Sequence, residues 1–95
     1  MLFSLICTDK PETGLALRKE NRPAHLEYLE ANIDKVKYAG PTLTDDGETP
    51  TGSLLIIEVA DRAEAEAFAS GDPYAKAGVF ENVGIMATRQ VYPKA

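Results

Sequence analysis

His25 is the only histidine in the sequence and the first candidate for acid–base chemistry. An imidazole titrates near neutral pH, at roughly 6.5 when unperturbed, so it can accept and donate protons under physiological conditions. On a helix it would share a face with Arg22, Tyr28 and Leu29, at the margin of a core-facing stripe. Two interpretations stay open: a general acid or base, or a half-buried histidine packed against Tyr28.

Asp72 directly precedes Pro73, where its side chain can accept hydrogen bonds from the amides of a following helical turn. A helix cap is therefore its default role. A carboxylate beside a histidine would also orient the ring, fix its tautomer and raise its basicity. Because the two roles are compatible, His25 and Asp72 form the predicted catalytic pair, although they lie far apart in the sequence.

Three further side chains are candidates for binding a substrate. Arg22 and Tyr74 could contact an anionic or phenolic group, and Ser70 could add a hydroxyl. No glycine-flanked nucleophile motif surrounds Ser53 or Ser70, so the sequence does not indicate serine-hydrolase chemistry.

The sequence contains no recognisable motif for binding a metal or a cofactor. With one cysteine, one histidine, no phosphate loop and no dinucleotide fingerprint, the chain is expected to use neither a metal nor a cofactor. Cys7 lies in an apolar run and is predicted to be unreactive, because a reactive thiolate needs an electropositive setting. Asp45, Asp46 and Glu48 lack calcium-loop spacing and predict a solvated turn. Haem binding is a weaker alternative, since His25 would be the only strong axial ligand.

The bulk composition restricts the class of protein. A chain of 95 residues supports one hydrophobic core, so we expect one domain over residues 1–95. Its formal charge of −5 disfavours nucleic acid and anionic membrane surfaces as partners. The apolar run at the start is short and quickly followed by charges, which is unlike a signal peptide or a membrane span. The single cysteine favours a reducing, cytoplasmic compartment.

Hydrophobic periodicity and turn-forming residues divide the chain into four strands and two main helices. In chain order the predicted elements are strand Leu2–Thr8, a helix from Glu12 to about Asp34, strand Val36–Leu43, strand Ser53–Val59, a helix from the Asp61 cap to about Gly71, a capped turn Asp72–Gly78 and strand Glu81–Tyr92. At Pro23 the first helix either begins or bends. The order βαββαβ is typical of a ferredoxin-like α+β fold, with an antiparallel sheet and both helices on one face.

Two predicted strands carry apolar residues on both of their faces. In the first strand, Leu2 and Ile6 lie on one face while Phe3 and Leu5 lie on the other, and the third strand repeats this pattern. Helices can cover only one face of such a sheet. A second copy of the chain is the simplest cover for the other face, so we expect a homodimer.

Short motifs along the whole chain resemble the YciI-like (YCII-related) family. They are Arg22-Pro23-Ala24-His25-Leu26-Glu27-Tyr28-Leu29, Ala39-Gly40-Pro41, Gly52-Ser53, Ser70-Gly71-Asp72-Pro73-Tyr74 and Ala77-Gly78-Val79. The resemblance implies a ferredoxin-like α+β fold of the dimeric α+β barrel group. It also implies an active site with a histidine and an aspartate, which correspond to His25 and Asp72. Gly71 departs from the family pattern, in which a polar residue often precedes the aspartate.

These observations predict a small enzyme that moves protons on a small, cyclic or aromatic metabolite, by isomerisation, elimination or hydrolysis. His25 would be the general base or acid, and Asp72 would orient it. The pocket is expected between sheet and helix near the dimer seam, lined by core residues such as Phe3 and Met86. The alternative is a non-catalytic dimer that binds a ligand or a partner enzyme, since one fold carries many functions.

Overall fold

The computed structural model describes residues 1–94, and its elements follow the predicted order. They are β1 Leu2–Asp9, α1 Gly14–Ala31, β2 Val36–Leu43, β3 Pro50–Glu58, α2 Arg62–Gly71, α3 Pro73–Lys76 and β4 Phe80–Thr88. All neighbouring strands pair antiparallel, in the order β2-β3-β1-β4. The predicted ferredoxin-like α+β architecture is confirmed.

Helix α1 continues through Pro23, so the first helix does not begin there. It begins at Gly14, where the backbone approaches the end of β1 very closely. A Cβ atom at residue 14 would lie 2.7 Å from the Asp9 Cβ and 3.1 Å from the Val79 carbonyl oxygen. Only glycine fits this crossing. The close approach places Arg18, one helical turn further along α1, directly against β1.

The hydrophobic core lies between the helices and one face of the sheet. Alternate residues of the two central strands point into it, because successive side chains of a strand face opposite sides. The buried cluster consists of Phe3, Leu5 and Cys7 of β1, Leu55 and Ile57 of β3, Val59, and Ala65 and Phe68 of α2. Tyr28 and Leu29 of α1 pack against the same cluster, so both long helices cover this face.

The opposite face of the sheet is apolar and exposed. Ile6, Tyr38 and Met86 are 44%, 53% and 59% exposed. The strand register places all three on the face away from the core, opposite the inward parity of Phe3 and Leu5. The two-faced apolar pattern of the central strands therefore corresponds to a sheet face that no helix covers.

Two strand boundaries differ from the prediction by more than one residue. Strand β3 begins at Pro50 rather than Ser53, because Leu43 of β2 still pairs with it there, and proline is tolerated as the first residue of a strand. Strand β4 ends at Thr88 rather than Tyr92. Its partner β1 begins at Leu2, which pairs with Thr88, so residues 89–92 have no neighbouring strand to pair with.

Candidate active site

His25 and Asp72 are hydrogen-bonded although they come from different elements. The imidazole Nδ1 lies 2.8 Å from Asp72 Oδ1, and the residues are 8% and 4% exposed. An ionised carboxylate only accepts hydrogen bonds, so Nδ1 donates and Nε2 is left as the basic nitrogen. Within residues 1–94, every fully buried side-chain nitrogen or oxygen has a hydrogen-bond partner. Nε2 has none, so it is not fully buried. The basic nitrogen therefore keeps contact with solvent.

Helix α3 fixes the position of the Asp72 carboxylate. Asp72 is its N-cap, and the same Oδ1 that binds His25 accepts a hydrogen bond from the Tyr74 amide at 2.9 Å. The predicted cap role is confirmed, and it coexists with the contact to the histidine. Because the backbone of α3 holds the carboxylate, His25 meets an acceptor that is already oriented.

Tyr74 holds the flat side of the imidazole. The two rings are stacked, with centroids 3.9 Å apart and planes only 7° from parallel. Phe80 meets the Tyr74 ring edge-on at 6.1 Å. Burial raises the pKa of the Tyr74 hydroxyl, although the charge of Arg18 acts in the opposite direction. Tyr74 is therefore a neutral phenol at physiological pH. Stacking on Tyr74 sets the plane of the His25 ring, and the hydrogen bond to Asp72 sets the rotation of the ring within that plane.

A buried ion pair joins α1 to β1 beside this stack. Arg18 binds both carboxylate oxygens of Asp9, with Nε–Oδ2 at 2.9 Å and Nη2–Oδ1 at 2.7 Å, and Nη2 also donates to Ser53 Oγ at 3.0 Å. Its guanidinium carbon lies 4.8 Å from the centre of the Tyr74 ring. Burial lowers the pKa of Arg18, but the hydrogen bond and charge of Asp9 outweigh it, so the pKa is raised. Arg18 therefore stays positively charged.

A cavity of about 220 Å³ opens beside His25, between α1 and the strands β2 and β3. Helix α1 contributes residues at spacings of three and four to one wall, including Arg18, Lys19, Arg22 and His25, and Tyr74 also lines the cavity. Much of the remaining lining is apolar. Since a cavity of about 150 Å³ can hold benzene, this space is sufficient for a single substituted ring.

Burial suppresses the reactivity of the one thiol near this site. Burial, followed by the negative charge of Asp72, raises the pKa of Cys7 to about 12. The side chain is therefore a thiol rather than a thiolate, which agrees with its predicted inertness. Within residues 1–94, no three His, Cys, Asp or Glu side chains are grouped so that they could hold a metal ion. No helix in that part of the chain is long and apolar enough to cross a membrane.

The predicted substrate-binding residues separate into two groups. Arg22 and Tyr74 line the cavity beside His25. Ser70 does not, because it is exposed on α2 and its hydroxyl donates to the Glu66 carbonyl at 2.7 Å. Phe3 and Met86 were expected in the lining, and both are absent from it. Phe3 lies in the core, and Met86 lies on the exposed face of the sheet.

The ring stacked on His25 is that of Tyr74. Tyr28, the neighbour named in the alternative interpretation, contacts α2. Its ring packs on Phe68 with centroids 5.2 Å apart, and its hydroxyl donates to the Phe68 carbonyl at 2.9 Å. This arrangement explains Gly71, the departure from the family pattern. A Cβ at residue 71 would lie 2.6 Å from the Tyr28 hydroxyl, so any larger residue here would displace that hydroxyl, whereas glycine leaves it in place.

Sequence reasoning missed Arg18 and Asp9, although both left a signal. Arg18 lies two helical turns before His25, with Arg22 between them, which places all three on one face of α1. Asp9 follows Phe3, Leu5 and Cys7 in the series of alternate β1 residues whose side chains face the core. A carboxylate at an inward position needs a buried partner, and a basic residue on the covering helix is the natural one.

Residues 1–89 match the YCII-related domain. The protein YciI from Escherichia coli O6:H1 is 35% identical over an alignment of 99 positions, which covers 97% of this chain and 100% of that protein. An uncharacterised protein from Haemophilus influenzae is 31% identical over 100 residues, again covering 97% of this chain and 100% of the relative.

Solved structures also resemble the chain, at high and at low sequence identity. One is 5-chloro-2-hydroxyhydroquinone dehydrochlorinase (TftG) from Burkholderia phenoliruptrix AC1100, in complex with 2,5-dihydroxybenzoquinone. It is 36% identical, with a TM-score of 0.85 over 94% of each chain. A NIPSNAP family protein from Agrobacterium tumefaciens, 14% identical with a TM-score of 0.55 over 99% of this chain and 97% of that one, shares the fold alone. The relatives and the domain match extend over nearly the whole sequence, and this chain therefore belongs to the YCII-related, or YciI-like, family.

Proposed function

We propose that this protein is a small cofactor-independent enzyme in which His25 moves protons on a small ring-shaped metabolite and Asp72 orients the imidazole. The observation that carries the proposal is the hydrogen bond from Nδ1 to Asp72, which leaves a basic Nε2 in contact with solvent beside a cavity of single-ring size. The similarity to a dehydrochlorinase solved with 2,5-dihydroxybenzoquinone supports elimination as the reaction and a hydroxylated ring as the substrate class.

The elimination needs only a base and a leaving group. Nε2 of His25 takes a proton from a ring hydroxyl or an acidic carbon, and the electron pair of that bond moves into the ring system. The leaving group departs as an anion with its bonding pair, and the imidazolium afterwards releases the proton to solvent. The substrate thus loses one proton and one anionic leaving group, which together make one molecule of acid. No oxidant or reductant is required. Isomerisation would use the same first step, with the proton returned to a different carbon.

Asp72 contributes to this step through its charge as well as its position. The imidazolium that forms on proton transfer lies 2.8 Å from a carboxylate oxygen, in a site that is largely removed from water. A charge-assisted hydrogen bond of this kind stabilises the protonated intermediate. Tyr74 keeps the ring from rotating, and Arg22 at the cavity wall is the proposed contact for the substrate's oxygen atoms.

The test is chloride release from a panel of chlorinated hydroxyquinols. His25→Gln preserves a polar side chain of similar length but removes the base, and it should lower the rate by about 10²-fold or more. Glu27→Gln, an exposed position on the same helix, is the matched control and should retain the wild-type rate. A His25→Gln protein as active as the wild type would refute the proposal. Saturable binding without turnover of any compound in the panel would instead favour the non-catalytic alternative.

We also propose that the protein is a homodimer formed through the exposed face of the sheet. Ile6, Tyr38 and Met86 form an apolar surface there that no helix covers. Ile6→Glu places a charge in this surface and should convert a particle of about twice 10.3 kDa to one of about 10.3 kDa in sedimentation experiments. Ile33→Glu makes the same change at an exposed site after α1 and should leave the mass unchanged. Retention of the dimer by Ile6→Glu would exclude this interface.

A further inference from the structure

The charges around the cavity are opposite in sign to those of the whole chain. The protein has a formal charge of −5, yet the cavity wall carries the basic residues Arg18, Lys19 and Arg22, and none of residues 1–94 contributes a carboxylate to it. A cleft lined by one sign of charge concentrates ligands of the other sign. The lining therefore distinguishes between charged and neutral rings of the same size.

Only two of these cations are available to a ligand. Arg18 is held by both oxygens of Asp9, so its charge is already compensated. Lys19 and Arg22 are exposed, and within residues 1–94 neither forms an ion pair or a side-chain hydrogen bond. Their charge at the cavity is therefore not balanced by a neighbouring acid.

The spacing on α1 brings these charges next to the basic nitrogen. Lys19, Arg22 and His25 follow one another at intervals of three residues, which places them on adjoining turns of one helix face. A ring that contacts both cations through its oxygen atoms therefore lies beside the imidazole. Removing a proton from such a ring adds negative charge to it, and fixed cations stabilise that charge as it develops.

We infer that the site takes its ring-shaped substrate as an anion, such as an ionised hydroxyquinone or phenolate, and that Lys19 and Arg22 bind the negative charge. The inference rests on the proposed function for the identity of the site, and it adds the ionisation state of the substrate and the residues that select it. A neutral ring of the same shape is a poor ligand. Binding of the anion weakens as the ionic strength rises.

The test compares two probes by isothermal titration. 2,5-Dihydroxybenzoquinone is ionised at neutral pH, whereas 2,5-dimethoxybenzoquinone has the same ring and no ionisable hydroxyl. Lys19→Met and Arg22→Met remove one charge each and keep long, flexible side chains. Lys37→Met is the control, because it lowers the net charge equally at an exposed position of β2 outside this cavity.

The anion should bind the wild type more tightly than the neutral ether, and Lys19→Met and Arg22→Met should each weaken anion binding by about fivefold or more. Binding of the ether should change less than about twofold in every variant, and Lys37→Met should bind the anion as the wild type does. Equal affinity for the two probes, no saturable anion binding by the wild type, or the same loss in Lys37→Met would overturn the inference.

The turnover assay separates this inference from the proposed function. If Lys19→Met and Arg22→Met weaken anion binding while His25→Gln retains full activity, the anion site stands and the catalytic role of His25 fails. If His25→Gln is inactive while the two cation variants have wild-type affinity and an unchanged KM, the catalytic proposal stands and the inference fails. If both are right, the cation variants should have a raised KM because the anion binds less tightly, and also a lowered kcat because the charge that develops on the ring is less stabilised.

Discussion

Breaking the buried ion pair between Asp9 and Arg18 should be among the most destabilising single changes in this protein. Both side chains are 7% exposed and are joined by two hydrogen bonds of 2.9 Å and 2.7 Å. Asp9→Asn keeps the shape of the side chain but leaves the Arg18 charge buried without its counter-ion. Removing one partner of a buried pair costs about 3–5 kcal/mol. Because the amide oxygen in Asp9→Asn can still accept a hydrogen bond from Arg18, we expect a loss of about 3 kcal/mol for this variant.

Urea unfolding measures this loss directly. With a denaturant dependence of about 1.5 kcal/mol/M, a change of about 3 kcal/mol moves the midpoint by about 2 M. The double variant Asp9→Asn/Arg18→Met removes the uncompensated charge and should recover at least about 1 kcal/mol relative to the sum of the single changes. Protein concentration must be held constant, because self-association would add to the apparent stability.

The control is the exposed ion pair between Arg62 and Glu66, whose side chains are more than half exposed and 3.3 Å apart. Glu66→Gln should change the free energy of unfolding by less than about 0.5 kcal/mol, because solvent screens such pairs. The reasoning would be refuted if Asp9→Asn shifted the midpoint no more than Glu66→Gln did, or if the two single changes at Asp9 and Arg18 were simply additive.

Asp72→Asn should leave the urea midpoint nearly unchanged but lower turnover by about 10²-fold, because the amide oxygen can still cap α3 and accept from His25 without supplying charge. Asp72→Ala should also lose about 1 kcal/mol of stability with the cap, and a fully active Asn variant would contradict this. Since the pKa of Cys7 is raised from 9.0 to about 12, the folded state binds this proton more tightly, and the free energy of unfolding should fall as the pH rises through that interval. Urea unfolding across this interval should show a smaller slope in Cys7→Ala, and equal slopes would exclude the effect. Gly71→Ala should lower the free energy of unfolding by about 1–2 kcal/mol by displacing the Tyr28 hydroxyl, and Tyr28→Phe should remove most of that cost in a double variant.

The sequence predicted the fold well wherever a local rule and the tertiary structure agree. Short apolar runs bounded by polar or turn-forming residues located β1 and β3, and Asp61 and Asp72 cap helices as their positions indicate. The end of β4 was predicted too late because residues 89–92 are compatible with a strand in themselves. A strand also needs a neighbouring strand to pair with. The neighbour of β4 is β1, whose first residue Leu2 pairs with Thr88, and no local pattern in β4 reveals this limit.

The site was predicted by residue type and not by geometry. His25 stands out because the sequence has one imidazole, and Asp72 stands out because it precedes a proline. Arg18 and Asp9 were overlooked because a charged residue is normally expected at the surface. Their burial follows from the close crossing of α1 over β1 at Gly14, which depends on the absence of a side chain and not on any pattern of hydrophobicity.

Tyr74 explains why these separate features form one site. Its ring contacts both the imidazole of His25 and the guanidinium of Arg18, and its amide binds the carboxylate of Asp72. Yet Tyr74 lies on α3, a helix of four residues that is far too short to be stable alone. The orientation of the imidazole therefore depends on tertiary contacts between α3 and α1, including the contact of Tyr74 with Arg18, which the ion pair with Asp9 holds in place. A change at Asp9 should for this reason affect both stability and the chemistry at His25, even though the two side chains make no hydrogen bond to each other.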